Sequence, residues 1–141
     1  MKRIVPLLLC AIMIFTMLPV QAKADDVTIN VYNWGQYISD GTDDCLDVIA
    51  AFEEETGIKV VYDMFETNEE MYPVIEAGGV NYDVICPSDY MIQKMVQNDL
   101  LAELNFDNIP NIKEIDPSYL QMASTAFDPE NKYAVPYTWG D

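Results

Sequence analysis

The sequence contains no histidine, so the side chain that most often serves as general base or metal ligand near neutral pH is absent. Basic residues are nearly as scarce. Only 7 Lys and Arg face 24 Asp and Glu, for a net charge of −17. Such a charge balance repels nucleic acid and anionic membrane surfaces and attracts small cations. With 6 glycines in all, no glycine-rich phosphate loop occurs. Ser88 has no nearby basic partner to activate it. Asp43-Asp44 and Glu53–Glu55 lack the spacing of a calcium loop, and Glu69-Glu70 fall on the solvent face of an expected helix. Enzymatic, metal and cofactor chemistry are therefore not expected. Nor is disorder, because the carboxylates are interleaved with Val, Ile, Phe and Tyr. Most of these acids are expected simply to solubilise the surface.

One long apolar run is present. Lys2 and Arg3 precede Ile4–Val20, and Ala22-Lys23-Ala24 forms a small-x-small pattern. This is the layout of a secretory signal peptide, residues 1–24, cleaved before Asp25. Pro6 and Pro19 interrupt the run, which is shorter than the roughly 20 apolar residues of a membrane span. Cys10 follows Leu7-Leu8-Leu9 rather than small residues, which argues against a lipid anchor. Cleavage would leave only Lys59, Lys94, Lys113 and Lys132 against the same acids, a net charge of about −20. The expected location is periplasmic or otherwise extracytoplasmic, without membrane insertion after cleavage. Cys45 and Cys86 remain. They read as core thiols, with a disulfide as the alternative that export permits.

Periodicity gives a β-α-β-α-β-α order. Val27–Asn33 reads as a strand, Asp43–Thr56 as a helix opened by Asp43-Asp44 and stopped by Gly57, and Ile58–Met64 as a second strand. Thr67-Asn68-Glu69-Glu70 is a capping box opening a helix to Ala77, ended by Gly78-Gly79. Tyr82–Cys86 is a nearly continuous apolar strand, as expected for burial on both faces. Pro87-Ser88-Asp89 turns into a helix with Met91, Ile92, Met95 and Val96 on one face. Weaker signals suggest a strand at Leu100–Leu104, a helix at Pro117–Ser124 after Asp116, and an extended Lys132–Thr138. Units of this kind form a parallel sheet covered by helices, an α/β fold.

In open α/β sheets ligands bind beyond the carboxyl ends of the strands. Two segments there carry aromatics beside polar groups: Asn33-Trp34-Gly35-Gln36-Tyr37 and Pro87-Ser88-Asp89-Tyr90. Trp34 and Tyr37 fall in a turn-prone loop rather than within an element, which favours a ligand wall over core packing, and Tyr90 is read as part of the same wall. Aromatic faces attract ammonium groups by roughly 0.5–2 kcal/mol per contact. Asp89 can add a charge-assisted hydrogen bond, although helix capping also accounts for it.

Four segments, VYNWGQYI, FEEETGIKVVYDMFETNEEMY, YDVICPSDYMIQKM and FDPENKYAVPYTWG, together resemble the N-terminal part of the spermidine/putrescine-binding proteins of bacterial ABC importers. The similarity runs almost unbroken from Val31 to Gly140. It implies a periplasmic-binding-protein-like lobe at residues 25–134, with 135–141 starting the crossover to a second lobe that this chain lacks. It also implies a polyamine ligand and a membrane ABC permease as partners. Trp34, Tyr37, Ser88 and Tyr90 match positions that line the site in that family, and Asp89 suits a cation. Gly35 stands where many members carry a hydroxyl residue. Much of the family's ammonium recognition lies on later residues, so this chain alone is expected to bind weakly or not at all. A receptor of the same fold for another solute and a non-functional truncated remnant are the alternatives. A secreted enzyme is the more distant one.

Overall fold

The structure, a computed structural model, describes residues 27–138. The expected signal peptide, Cys10 and residues 139–141 lie outside them. The order of elements is β1 (Thr28–Trp34), α1 (Val48–Thr56), β2 (Lys59–Phe65), α2 (Asn68–Ala77), β3 (Val84–Ile85), α3 (Asp89–Gln97) and α4 (Pro117–Ala126). Short 3-10 turns at Phe106–Asn108, Pro110–Glu114 and Pro129–Asn131 fill the C-terminal part. The sheet is parallel with β1 in the middle, in the order β2-β1-β3. Its register pairs Thr28 with Lys59 and Trp34 with Phe65 on one side, and Val31 with Val84 on the other.

The sheet is central because β1 carries the residues that can be buried on both faces. Tyr32 and Asn33 are buried at its carboxyl end, and Tyr32 packs with Phe65, Met71, Tyr72, Met91 and Met95 in one cluster. Tyr32 meets Phe65 edge-on at 5.0 Å and stacks on Tyr82 at 4.5 Å. Such pairs add about 0.5–1.5 kcal/mol to what burial alone provides. The helices end where expected. Gly57 and Gly78 take the left-handed conformation (φ 74 and 63) that closes α1 and α2. One half of the expected capping box is formed, with Thr67 Oγ1 accepting from the Glu70 N–H at 3.1 Å.

Several expectations need correcting. The first helix starts at Val48, not Asp43. Asp43 and Asp44 sit at positive φ (53 and 60) in a turn, and Asp40 Oδ1 accepts from both the N–H and the hydroxyl of Thr42, which diverts the chain away from helix. Asp47 caps instead, accepting from the Ala50 N–H at 2.9 Å. The third strand is shorter than Tyr82–Cys86 and is not buried on both faces, since Val84 is 51% exposed on an edge. The Asp83 and Cys86 N–H groups still bond to Asn30 and Tyr32 carbonyls. Leu100–Leu104 is not a strand. Asp99 at φ 54 ends the preceding helix, and Leu100 and Leu101 cover the core as irregular chain. The fourth helix runs two residues past Ser124, to Ala126. Lys132–Thr138 joins no strand. Cys45 is exposed and Cys86 half-buried, and both are free thiols.

Candidate functional site

The carboxyl end of β1 delivers the first wall. Asn33, 3% exposed, turns its Oδ1 onto the Trp34 N–H at 2.7 Å. This fixes the exit of the chain, so the Trp34 ring packs against Phe65 at 4.7 Å and against Tyr37 at 5.9 Å. Tyr137 extends the wall, its ring 6.0 Å from that of Tyr37 and its hydroxyl donating to the Tyr37 carbonyl at 3.1 Å. A buried carboxylate holds the segment that brings Tyr137 there. Asp128, fully buried, accepts from the N–H groups of Lys132, Tyr133 and Ala134 at 2.8–3.0 Å.

The second wall is the turn between β3 and α3. Ser88 occupies the N-cap of α3 but its side chain makes no cap bond. It is held from the side by Asn68, the first residue of α2. The Asp89 carboxylate accepts from the Tyr90 N–H at 2.6 Å.

These walls bound a wide cleft of ≈ 1330 Å³ whose lining includes Trp34, Tyr37, Ser88, Asp89 and Tyr137. Four sequence-predicted residues are thus brought to one cleft. Tyr90 is not among its lining residues: its hydroxyl accepts from Asn68 and donates to Glu69 Oε1 at 3.0 Å. The hydrogen bond from Asn68 lowers the phenol pKa, but burial and the Glu69 and Asp89 carboxylates together leave it raised. A Cβ on Gly35 would meet Glu66 Oε1 and Met64 Sδ at 3.7 Å, ordinary contacts, so packing does not require glycine there.

The electrostatics of the cleft have one sign. Asp83, Asp89, Glu103 and Asp116 line it, and among the described residues no Lys or Arg does. Asp116 is held below its ordinary value by the Ser118 N–H and hydroxyl, so it stays ionised at neutral pH. A carboxylate-bearing cleft with an aromatic end favours a ligand that is both cationic and partly apolar. Sequence reasoning missed Asn33, Asn68 and Tyr137, and also the Asp83, Glu103 and Asp116 carboxylates. Asn33 had a signal in opening the segment after the first strand, and Tyr137 had one in falling within the expected crossover.

The sequence profile of bacterial extracellular solute-binding proteins matches residues 39–140 of this chain. The chain belongs to that family. It is similar to the putrescine-binding periplasmic protein PotF of Escherichia coli, 36% identical over 82% of this chain and 30% of the relative. It is also similar to the spermidine/putrescine-binding periplasmic protein 1 of Haemophilus influenzae, 39% identical over 84% of this chain and 31% of that protein. Among solved structures, a putative spermidine/putrescine ABC transporter protein from Listeria monocytogenes superposes with a TM-score of 0.71 and 44% identity, over 80% of this chain and 32% of that one. The spermidine/putrescine ABC transporter substrate-binding protein PotD of Streptococcus pneumoniae gives a TM-score of 0.71 at 42% identity, over 79% and 32%. The expected α/β, periplasmic-binding-protein-like fold is thereby established for this solute-binding family member, which spans about a third of the length of its relatives.

Proposed function

We propose that this chain supplies one wall of the ligand cleft of an exported polyamine receptor, one that delivers spermidine or putrescine to a membrane ABC permease. The observation that carries the reading is the cleft itself, where Trp34, Tyr37 and Tyr137 stand beside carboxylates and no cationic side chain among the described residues joins the lining. A polyamine matches both features. Its methylene segments lie on aromatic faces and its ammonium groups meet the acids. The names of the relatives agree with this chemistry, and the bulk charge of −17 draws cations toward it. Trp34 and Tyr37 act as the aromatic clamp, Ser88 as a hydrogen-bond partner, and Asp89 as a charge partner. Tyr90 contributes through the loop it braces.

Equilibrium dialysis of the chain against labelled spermidine, putrescine and glutamate tests the reading. The polyamines are expected to bind weakly, and less so as salt rises, while glutamate does not bind. Trp34→Ala is expected to weaken spermidine roughly tenfold, within the range of one desolvated cation–π contact. Preference for glutamate, or unchanged spermidine affinity in Trp34→Ala, refutes it.

A further inference from the structure

The start of α2 carries a buried amide whose partners all lie on another element. Asn68 is 3% exposed. Its Oδ1 accepts from the Ser88 N–H at 3.1 Å, and its Nδ2 donates to Ser88 Oγ and Tyr90 Oη, each at 2.9 Å. A backbone N–H can only donate, so it dictates which side of the amide is oxygen. The nitrogen then faces two hydroxyls, and both must accept. Their remaining capacity differs. The Tyr90 proton goes to Glu69 Oε1, so that phenol is occupied within the network. Ser88 has one lone pair engaged, and its proton and second lone pair are left to the cleft it lines.

Helix formation explains neither residue. The cap of α2 is made by Thr67, and Asn has lower intrinsic helix propensity than Ala at the position that follows. Ser88 sits where a serine ordinarily caps, yet makes no cap bond to α3. Its hydroxyl is turned toward Asn68 instead.

We propose that Asn68 is the positioning residue of the cleft: it fixes both the place of the Ser88 hydroxyl and the direction of its hydrogen bonds, leaving one acceptor site for an amine N–H. The ligand half of this rests on the polyamine reading above. The wiring of Ser88 does not.

Two measurements on the full chain test it: amide hydrogen exchange by NMR without ligand, and spermidine titration of Asn68→Ala, Ser88→Ala and the double variant. In Asn68→Ala the Ser88 amide is expected to exchange roughly fivefold faster, as for loss of one hydrogen bond. The Cys86 amide, bonded to Tyr32, should keep its rate. Asn68→Ala should weaken spermidine in the otherwise native chain and add nothing in the Ser88→Ala background. Asn68→Asp retains the acceptor for the Ser88 N–H and should keep that amide protected, which serves if the alanine variant does not fold. An unchanged Ser88 rate in folded Asn68→Ala, lost protection in Asn68→Asp, or an equal binding penalty in both backgrounds overturns the proposal. If no form binds spermidine while the Ser88 amide still loosens in Asn68→Ala, the polyamine reading falls and the positioning of Ser88 stands.

Discussion

Removal of the Asp128 carboxylate should be among the most damaging single changes available in the chain. Its side chain is fully buried and receives three backbone N–H groups, from Lys132 at 3.0 Å, Tyr133 at 2.9 Å and Ala134 at 2.8 Å. Asp128→Ala leaves those three donors without an acceptor. An orphaned buried donor costs about 1–3 kcal/mol, and the sites are only part-buried, so the low end applies to each. The sum is about 3–5 kcal/mol, a large share of the roughly 5–15 kcal/mol that holds a domain of ordinary stability. Asp128→Asn keeps one oxygen but sets an amide NH2 donor against an N–H donor, and should lose about half as much. Urea unfolding followed by circular dichroism measures both. The alanine variant should unfold at far lower urea, with the asparagine variant between it and the native chain. An Asp128→Ala midpoint within about 0.5 kcal/mol of native stability would refute the reasoning, because it would mean that water replaces the carboxylate without loss.

Three further outcomes are expected. The Lys59 ammonium at 2.7 Å, followed by the Val60 N–H, holds Glu53 below the usual carboxylate range. A depressed native pKa contributes stability above the ordinary value and loses it as pH falls through the depressed one. Glu53→Gln should therefore flatten the acid limb of a stability–pH curve, and an unaltered limb contradicts the assignment. Tyr82 is pushed up to about 12 by burial and then by its hydrogen bond to Asp63. The folded chain keeps this proton after the unfolded chain has lost it, so stability should fall as pH rises from about 10 to about 12. Tyr82→Phe should remove one late phenol from an ultraviolet titration. Finally, Cys45 is exposed, whereas burial raises the half-buried Cys86 thiol. A thiol reagent without reductant should modify Cys45 quickly and Cys86 slowly, and an absence of reactive thiol after unfolding would reveal a bridge.

The parallel sheet and the helices beside it were legible because their signals are local. Thr67, Gly57 and Gly78 act within one turn of the helix they bound, and the apolar repeat of Met91 and Met95 marks the face that is buried. Misjudged elements were those decided by competition. Asp43-Asp44 suits a helix start in isolation, but Asp40 and Thr42 form a turn first and Asp47 takes the cap. Val84 reads as buried because the segment Tyr82–Cys86 is mostly apolar, yet an edge position leaves it open. Trp34, Tyr37, Ser88 and Asp89 were found by asking which loops follow the strands. Asn68 and Asp128 were not, because a polar residue in a cap or turn looks alike whether it faces water or a partner, 20 positions away for Asn68 and a few positions on for Asp128.

The bond from the Tyr137 hydroxyl to the Tyr37 carbonyl joins positions 100 residues apart. It therefore sets an order of assembly. Strands β1 and β2 and the helix between them can associate while the later chain is still being made, since their contacts are nearer in sequence. The aromatic wall cannot close until residue 137 has arrived and the turn gathered by Asp128 has formed. The cleft is thus the last part of this segment to take shape, and a chain cut between Gln97 and Tyr137 would keep its three strands and lose one side of its wall.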